Sequence, residues 1–548
     1  MNQPNLIQRT AAAYAYPLLI KQLLHAPMAH ARAQEIVYRD LRRNSYAEFR
    51  ARIARLANAL RTLGVGHGDT VAVMDWDSHR YLEAYFAVPM MGATLMTVNV
   101  RLSNEQVAYT LNHSAVSLVL VNAEFAPVLE TIRDKLTSAK TFVLLGDDPA
   151  ASAAAYAGEY ERLLAAAPSN FDFPDFDENT RATVFYTTGT TGLPKGVSFS
   201  HRQLVLHTLA TMGFMAASAP GQCFRRDDVY MPITPMFHVH AWGLPYVATA
   251  MGVKQVYPGR YEAKTLLKLK QAEGVTYSHC VPTILQMLLA VPAAEAGDLH
   301  GWKMVIGGAA LPKTLCKAAL ERGLDVWAGY GMSESGPILT NGQVQPGSRF
   351  KTPEGEIAIR CKSGLAAPLV EIRIVDNDMK PLPHDGKATG EIVVRAPWLT
   401  QAYHDNPAAS RSLWEGGYLH TQDIGSIDEQ GYLQITDRLK DVIKSGGEWV
   451  SSIAVEDLLG QHVAVAEAAV FGVKDDKWGE RPIALVVAKP GRAGEANEAA
   501  LKVHLQQFVA SGVISKFCIP VTIHCVDAIA KTSVGKIDKR ALREQYAA

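Results

Sequence analysis

The sequence has no surplus of either charge. Across 548 residues its 54 lysines and arginines are matched by 54 aspartates and glutamates. No global field draws in nucleic acid or an anionic membrane, so neither is expected as a partner. Cysteine is scarce. The six are Cys223, Cys280, Cys316, Cys361, Cys518 and Cys525, and none forms a C-x-x-C pair. Zinc-ribbon and thioredoxin-like readings therefore lack their spacing. Thiols this sparse fit a reducing compartment, and a cytoplasmic location is expected. The first residues show no basic stretch running into an apolar core, so no secretory leader is expected. No tandem repeat is present. Hydrophobic residues make up 48% and charged residues 20%, the balance of a soluble globular chain.

One uncharged stretch is longer than the others. Residues 229–253 contain no Asp, Glu, Lys or Arg, and their length alone would span a bilayer. Three prolines and two histidines inside the stretch argue against a membrane helix, because polar groups at membrane depth are costly. It reads instead as a loop-rich wall beside a pocket.

The remaining pattern is alternation of strands and helices. Residues 46–65 place Phe49, Ile53, Leu56, Leu60 and Leu63 at helical spacing. An apolar run over 70–74 reads as a buried strand. Ser103 with Gln106 forms a capping box that opens a helix near Asn104. Residues 115–121 read as the next strand. Such alternation predicts an α/β fold with mainly parallel sheets. Residues 147–160 read as a surface connection, and 342–356 as a polar, turn-rich, mobile segment. A boundary is expected near 437–441. Beyond it, strands over 469–473, 484–488 and 521–526 and a helix over 499–509 predict a small α+β unit. The expected domains are 1–437, built from several subdomains, and 438–548.

The strongest motif follows a short strand at 182–186. It reads Thr187, Thr188, Gly189, Thr190, Thr191, Gly192, Leu193, Pro194, Lys195, Gly196. Glycines let successive N–H groups turn toward an anion, the threonines add donors, and Lys195 adds charge. This chemistry suits a polyphosphate, although Pro194 before the lysine departs from a Walker A loop.

With this loop the chain resembles the AMP-forming adenylate superfamily, which includes acyl-CoA synthetases, luciferases and peptide-synthetase adenylation domains. Further segments carry the resemblance in family order. Gly307, Gly308 and Ala309 resemble the adenine wall. Gly329, Tyr330, Gly331, Met332, Ser333 and Glu334 resemble the Y-G-x-T-E motif. Residues 417–425, with Asp423 central, resemble the ribose-binding stretch. Residues 437–441 resemble the hinge, with Lys440 as pivot, and 531–540 the C-terminal lysine motif. The resemblance implies ATP, Mg²⁺ and coenzyme A as cofactors. Lys536 would be the catalytic lysine, and Thr190 and Glu334 the magnesium ligands. Asp423 and Arg438 would hold the ribose. Lys444, Gly446, Gly447, Glu448 and Trp449 would meet the pantetheine arm. Hard Mg²⁺ suits oxygen donors, and a carboxylate suits paired hydroxyls. The sequence departs from the family pattern at Gln422, Ser333 and Ala530.

The acid pocket is expected to contain His238, Val239, Trp242, Gly243, Val281, Gly307 and Gly331, with His279 as a further candidate. His238 is also expected to take part in catalysis. It stands where amino-acid-activating relatives place an aspartate, and only twelve residues follow Lys536. The implied activity is ATP-dependent acid–CoA ligation through an acyl-AMP. The pattern is most similar to bacterial medium- and long-chain fatty acyl-CoA synthetases, in which Trp242 would gate an acyl tunnel, and this branch implies a homodimer. Alternatives are a short methylthio- or aryl-propionate as the acid, an acceptor other than CoA, or a non-catalytic nucleotide-binding relative.

Overall fold

The computed structural model describes residues 5–147, 155–187, 193–345, 347–348, 350, 352–445, 448–532 and 535–546, with backbone alone at 448 and 449. Among these the chain forms four sheets. Two large sheets are parallel in their interiors, as the alternation predicts.

One has seven strands. Its inner members, Val116–Asn122, Thr70–Met74, Thr94–Thr97 and Arg181–Thr187, run parallel. Its edge strand Lys195–Ser200 returns antiparallel to Arg181–Thr187, with Thr187 opposite Lys195. The residues between them, Thr188, Gly189, Thr190, Thr191 and Gly192 among them, lie outside the described residues. The strand Thr70–Met74 is buried throughout, as expected of a parallel strand covered on both faces.

The second large sheet has nine strands and carries most of the candidate site. Val229–Pro232, Tyr277–Cys280, Trp302–Ile306 and Leu324–Gly331 lie side by side and parallel. The short strand Ile338–Asn341 then folds back antiparallel on Leu324–Gly331. Ligands in open α/β sheets bind beyond the carboxyl ends of parallel strands. Here those ends carry His279, Gly307 and Gly331.

A third sheet of five strands contains Tyr418–Ile427 paired with Leu433–Arg438, which sets Asp423 opposite Arg438. The fourth, also of five strands, belongs to the C-terminal part. It includes Val465–Asp475, Gly479–Ala488 and Thr522–Cys525, packed with the helices Ser452–Gly460 and Glu498–Ala510 around its own apolar cluster. The strands and helix expected there all form; the first two strands and the helix extend beyond the expected bounds, while the third is shorter, Thr522–Cys525.

Local expectations hold elsewhere with small shifts. The first long helix is Tyr46–Thr62, opened by a complete Ser45–Glu48 capping box. The Ser103–Gln106 box opens the helix Asn104–His113. Two segments need correction. The stretch expected to be turn-rich and mobile already contains the first turn of the helix Pro353–Arg360, where Pro353 occupies the favoured first position. The segment expected to be a surface connection ends in the strand Gly158–Glu159 and a fully buried Tyr160. Tyr160 donates to Glu83 and the Glu159 side chain caps the next helix, so the chain there is tied inward.

The small C-terminal part rests on the large one through specific contacts. Gln286 donates to the Ala466 carbonyl at 3.3 Å, and the Lys313 amide donates to Asp457 at 3.4 Å. At the junction, buried Asp437 accepts from both the amide and the hydroxyl of Ser452, each at 2.6 Å.

Candidate active site

Two adjoining cavities open where the parallel strands of the nine-stranded sheet end. The first is lined by Arg101, Pro235, Tyr261, Thr283 and Ile284 among others. The second is lined by Val239, Val305, Gly307, Gly329, Gly331 and Ile338 among others. His238, Trp242, Gly308 and Lys536 line both.

Lys536 arrives from the small domain. Gly535 takes a left-handed conformation, φ 83°, that an L side chain rarely adopts, and the chain closes as Thr532 donates to the Lys536 carbonyl at 2.7 Å. A Cβ on Gly308 would stand 3.3 Å from Lys536 Cε, so the glycine leaves the lysine its place. Burial and neighbouring Arg438 pull the Lys536 ammonium down to about 8, against support from Asp423 and Glu334. Ala530 takes part in closing this loop. Its carbonyl accepts from Asp538, and Lys531 bridges Ile537.

Asp423 accepts from the Tyr330 hydroxyl at 2.8 Å and lies 3.5 Å from Arg438 Nε. Burial raises its carboxyl above the usual range, and Arg438 opposes the shift. Gln422, one of the departures from the family pattern, is set apart by its backbone. Its side chain faces solvent, but its φ is 59°, a left-handed value that favours glycine.

Glu334 is buried, accepts from Tyr403 at 2.6 Å, and has its carboxyl raised by burial. Lys195 Nζ lies 4.9 Å from the Tyr403 ring centre, so lysine, tyrosine and glutamate form one group. Among the described residues no cluster of three or more His, Cys, Asp or Glu could hold a metal alone. One buried carboxylate with an oxygen to spare fits a hard cation that arrives with phosphate oxygens.

The wall over residues 235–243 is strained. Val239, His240, Ala241 and Trp242 all have positive φ, between 47° and 60°, followed by Gly243 at 73°. At about 1–2 kcal/mol per non-glycine residue, this left-handed turn stores roughly 4–8 kcal/mol. Anchors from distant elements hold it. Asp77 accepts from the Met236 amide at 2.8 Å, Tyr85 donates to the Met236 carbonyl, and Thr97 donates to the Phe237 carbonyl at 2.9 Å. The turn sets the Trp242 indole over Gly307, where a Cβ would come within 2.9 Å of the ring. Trp242 also packs on His279 with ring centres 5.0 Å apart. The uncharged stretch is thus a strand, this turn and the helix Leu244–Met251. Burial, with Lys536 and Arg101 nearby, pushes His238 down to about 3. A neutral imidazole offers one donor and one acceptor.

The structure brings together Lys195, Gly308, Tyr330, Gly331, Met332, Ser333, Glu334, Asp423, Arg438 and Lys536. Gly331 admits only glycine, since a Cβ would sit 1.6 Å from the Pro337 carbonyl oxygen. Gly307, Val239, Trp242 and Val281 line the cavities as expected. Gly243 lines neither and faces His207 instead. His279 is buried behind Trp242 and bonded to Tyr230 at 2.8 Å. Ala309 is exposed beside Gly308. Lys444 lies on a hairpin strand of the small sheet and lines neither cavity. Gly446 and Gly447 lie outside the described residues, as do the side chains of Glu448 and Trp449. Arg101, Tyr261 and Asn341 line the cavities without belonging to any motif. Asn341 becomes visible only through the strand register that pairs it with Gly329.

The chain matches the model of the AMP-binding enzyme family over residues 25–404 and of its C-terminal domain over residues 454–536. It is 40% identical over 510 residues to a long-chain-fatty-acid–CoA ligase of Thermus thermophilus, covering 92% of this chain and 91% of that one. It is 37% identical to a 3-methylmercaptopropionyl-CoA ligase of Ruegeria lacuscaerulensis, covering 97% of each. The fold is similar to an anthranilate CoA ligase solved with anthranoyl-AMP, with a TM-score of 0.84 at 24% identity, over 97% of this chain and 98% of that one.

Proposed function

The chain belongs to the AMP-binding enzyme family, and from that premise we propose that it is an ATP-dependent acid–CoA ligase acting on a medium- or long-chain fatty acid. The observation that carries the reading is Lys536, delivered by the small domain into the space shared by both cavities, with Asp423, Arg438 and Glu334 around it.

In the first step a carboxylate oxygen of the acid attacks the α-phosphorus of ATP. The bond to the pyrophosphate oxygen breaks, and pyrophosphate leaves with the electron pair. Two anions must meet in line, and fixed donors that do not reorganise lower that cost. Lys536 supplies a cation there, and the neutral His238 supplies a donor at the carboxylate end. Asp423 accepts from the ribose hydroxyls while Tyr330 and Gly308 flank the base. Glu334, with Thr190, would hold Mg²⁺, which when bound offsets phosphate charge. In the second step the thiol sulfur of CoA attacks the acyl carbon. The carbon–oxygen bond to AMP breaks, AMP leaves, and the thiol proton is released. Lys536 and Gly535 line the first cavity, so a thiol entering there needs them withdrawn. A swing of 438–548 about Lys440 would do this and bring Lys444, Gly446, Gly447, Glu448 and Trp449 to the thiol.

A second reading, a short methylthio- or aryl-substituted acid, is favoured by Trp242. Its indole closes the second cavity over Gly307. A non-catalytic role is disfavoured by the joint presence of Lys195, Glu334, Asp423 and Lys536. Among the described residues no helix is long and apolar enough to cross a membrane. The proposal includes a cytoplasmic enzyme, consistent with six free cysteines, and a homodimer by resemblance to the fatty-acyl branch.

The test is a screen of acids from acetate to palmitate, with thioether and aryl acids, measuring AMP release with and without CoA. CoA-dependent release with a fatty acid is expected. Release independent of CoA, or no release with any acid, would overturn the ligase reading.

A further inference from the structure

The second cavity is lined by a buried amide whose oxygen is unpaired. Asn341 ends the strand Ile338–Asn341 and is 1% exposed. Among the described residues its side-chain oxygen has no hydrogen-bond partner. It lines the cavity with Trp242, Val305, Gly307 and Ile338, all but the glycine apolar or aromatic. The amide leans into the space above Gly329, where a Cβ would stand 3.1 Å from Asn341 Oδ1. A side chain at 329 would crowd the amide oxygen, and glycine avoids that contact.

Nearby polar groups are already committed. The Tyr330 hydroxyl donates to Asp423 and the Thr340 hydroxyl to the Ser363 carbonyl at 2.6 Å. A buried polar atom without a partner is costly, and such atoms in native interiors call for an explanation. The strand register places this one. Ile338 lies opposite Gly331, and Asn341 opposite Gly329. Two residues of strand put the amide roughly 7 Å along the ladder from Gly331. Gly331 shares its end of the cavity with His238 and Lys536, where the carboxylate reacts.

We infer that Asn341 is a specificity-determining residue and that the acid taken by this cavity carries a hydroxyl or N–H donor beyond its carboxylate. This rests on the acid–CoA ligase reading and narrows its substrate class. A plain alkyl chain would leave the amide dry and unpaired. An acid with a donor at that depth would satisfy it, and sites built around such a bond reject the analogue that lacks it.

The test uses two pairs of acids matched in shape: octanoate against omega-hydroxyoctanoate, and phenylpropionate against its para-hydroxy derivative. CoA-dependent AMP release gives kcat/KM for each with the full-length enzyme, Asn341→Leu and Asn341→Ala. The native enzyme is expected to favour the hydroxy member of at least one pair by about tenfold or more, the worth of one buried hydrogen bond. Both variants should lose or reverse that preference while KM for ATP stays unchanged. Asn341→Leu should be at least as stable to urea as the native protein, because a buried oxygen without a partner is removed. Native preference for the unsubstituted member of both pairs would overturn the inference, as would equal loss on both members in the variants. A raised KM for ATP with unmoved acid selectivity would assign the amide to the nucleotide and also overturn it. Turnover without donor preference would leave the ligase reading standing; no turnover with any of the four would remove both.

Discussion

Trp242→Ala separates a pocket wall from a core residue. The indole is 6% exposed, lies between the two cavities, and covers Gly307. Removing a large buried aromatic costs about 3–5 kcal/mol. The low end is expected here, since one side of the ring already faces open space and the left-handed backbone stays under the same anchors. The gain is room. Without the indole, which lines both cavities, the two merge. Each further methylene buried is worth about 0.8 kcal/mol, so two more give about tenfold in kcat/KM. The assay is CoA-dependent AMP release with saturated acids from hexanoate to palmitate, alongside urea unfolding. The optimum should move toward longer acids, and the ratio for decanoate over hexanoate should rise about tenfold or more. A parallel drop across the whole series, with only stability lost, would refute the reasoning and return Trp242 to the core.

Other outcomes follow from the same geometry. The Lys536 ammonium, held at about 8, is present below that pH and lost above it, so kcat/KM for acyl-AMP formation should fall as pH rises through about 8. The unfolded chain binds more protons between about 8 and the ordinary value of 10.5, so this group's contribution to stability rises with pH in that window. Lys536→Met should abolish both dependences; an unchanged alkaline limb would assign it elsewhere. Asp423→Asn removes a carboxylate that supports the ammonium, and in the residual activity the limb should move down by about one pH unit; no movement would contradict their coupling. Gln422→Gly should relieve about 1–2 kcal/mol of left-handed strain and give up about 0.5–1 in unfolded-chain freedom. Stability to urea should therefore hold or rise slightly, with KM for ATP unmoved, and a loss beyond about 1 kcal/mol would show that the side chain has a structural role.

Much of this was legible in the chain itself. Gly308, Tyr330, Glu334, Asp423 and Lys536 sit in contiguous motifs, and their spacing is local chemistry that a sequence displays. Capping boxes at Ser45 and Ser103 act within one turn, and the second gave the helix start to the residue. The left-handed turn at 239–242 was not legible, because Val, His, Ala and Trp carry no local preference for it. Anchors at Asp77, Tyr85 and Thr97, far away in sequence, impose it. Gln422 shows the same limit, since nothing in the residue type signals its left-handed backbone. Gly243 was assigned to the pocket by adjacency, but a left-handed turn does not keep neighbours on one face. Arg101, Tyr261 and Asn341 belong to no motif and reach the cavities only through sheet pairing and loop closure.

Whether Lys536 serves adenylation alone is decided by separating the two half-reactions in Lys536→Ala. One assay follows acid-dependent exchange of pyrophosphate into ATP; the other supplies preformed acyl-AMP with CoA and follows the thioester. Exchange should fall by a factor of about a hundred or more, the range of electrostatic groups aimed at a transition state, while thioester formation stays within a few-fold of native. Full ATP-dependent exchange in the variant, or equal loss in both assays, would contradict the assignment.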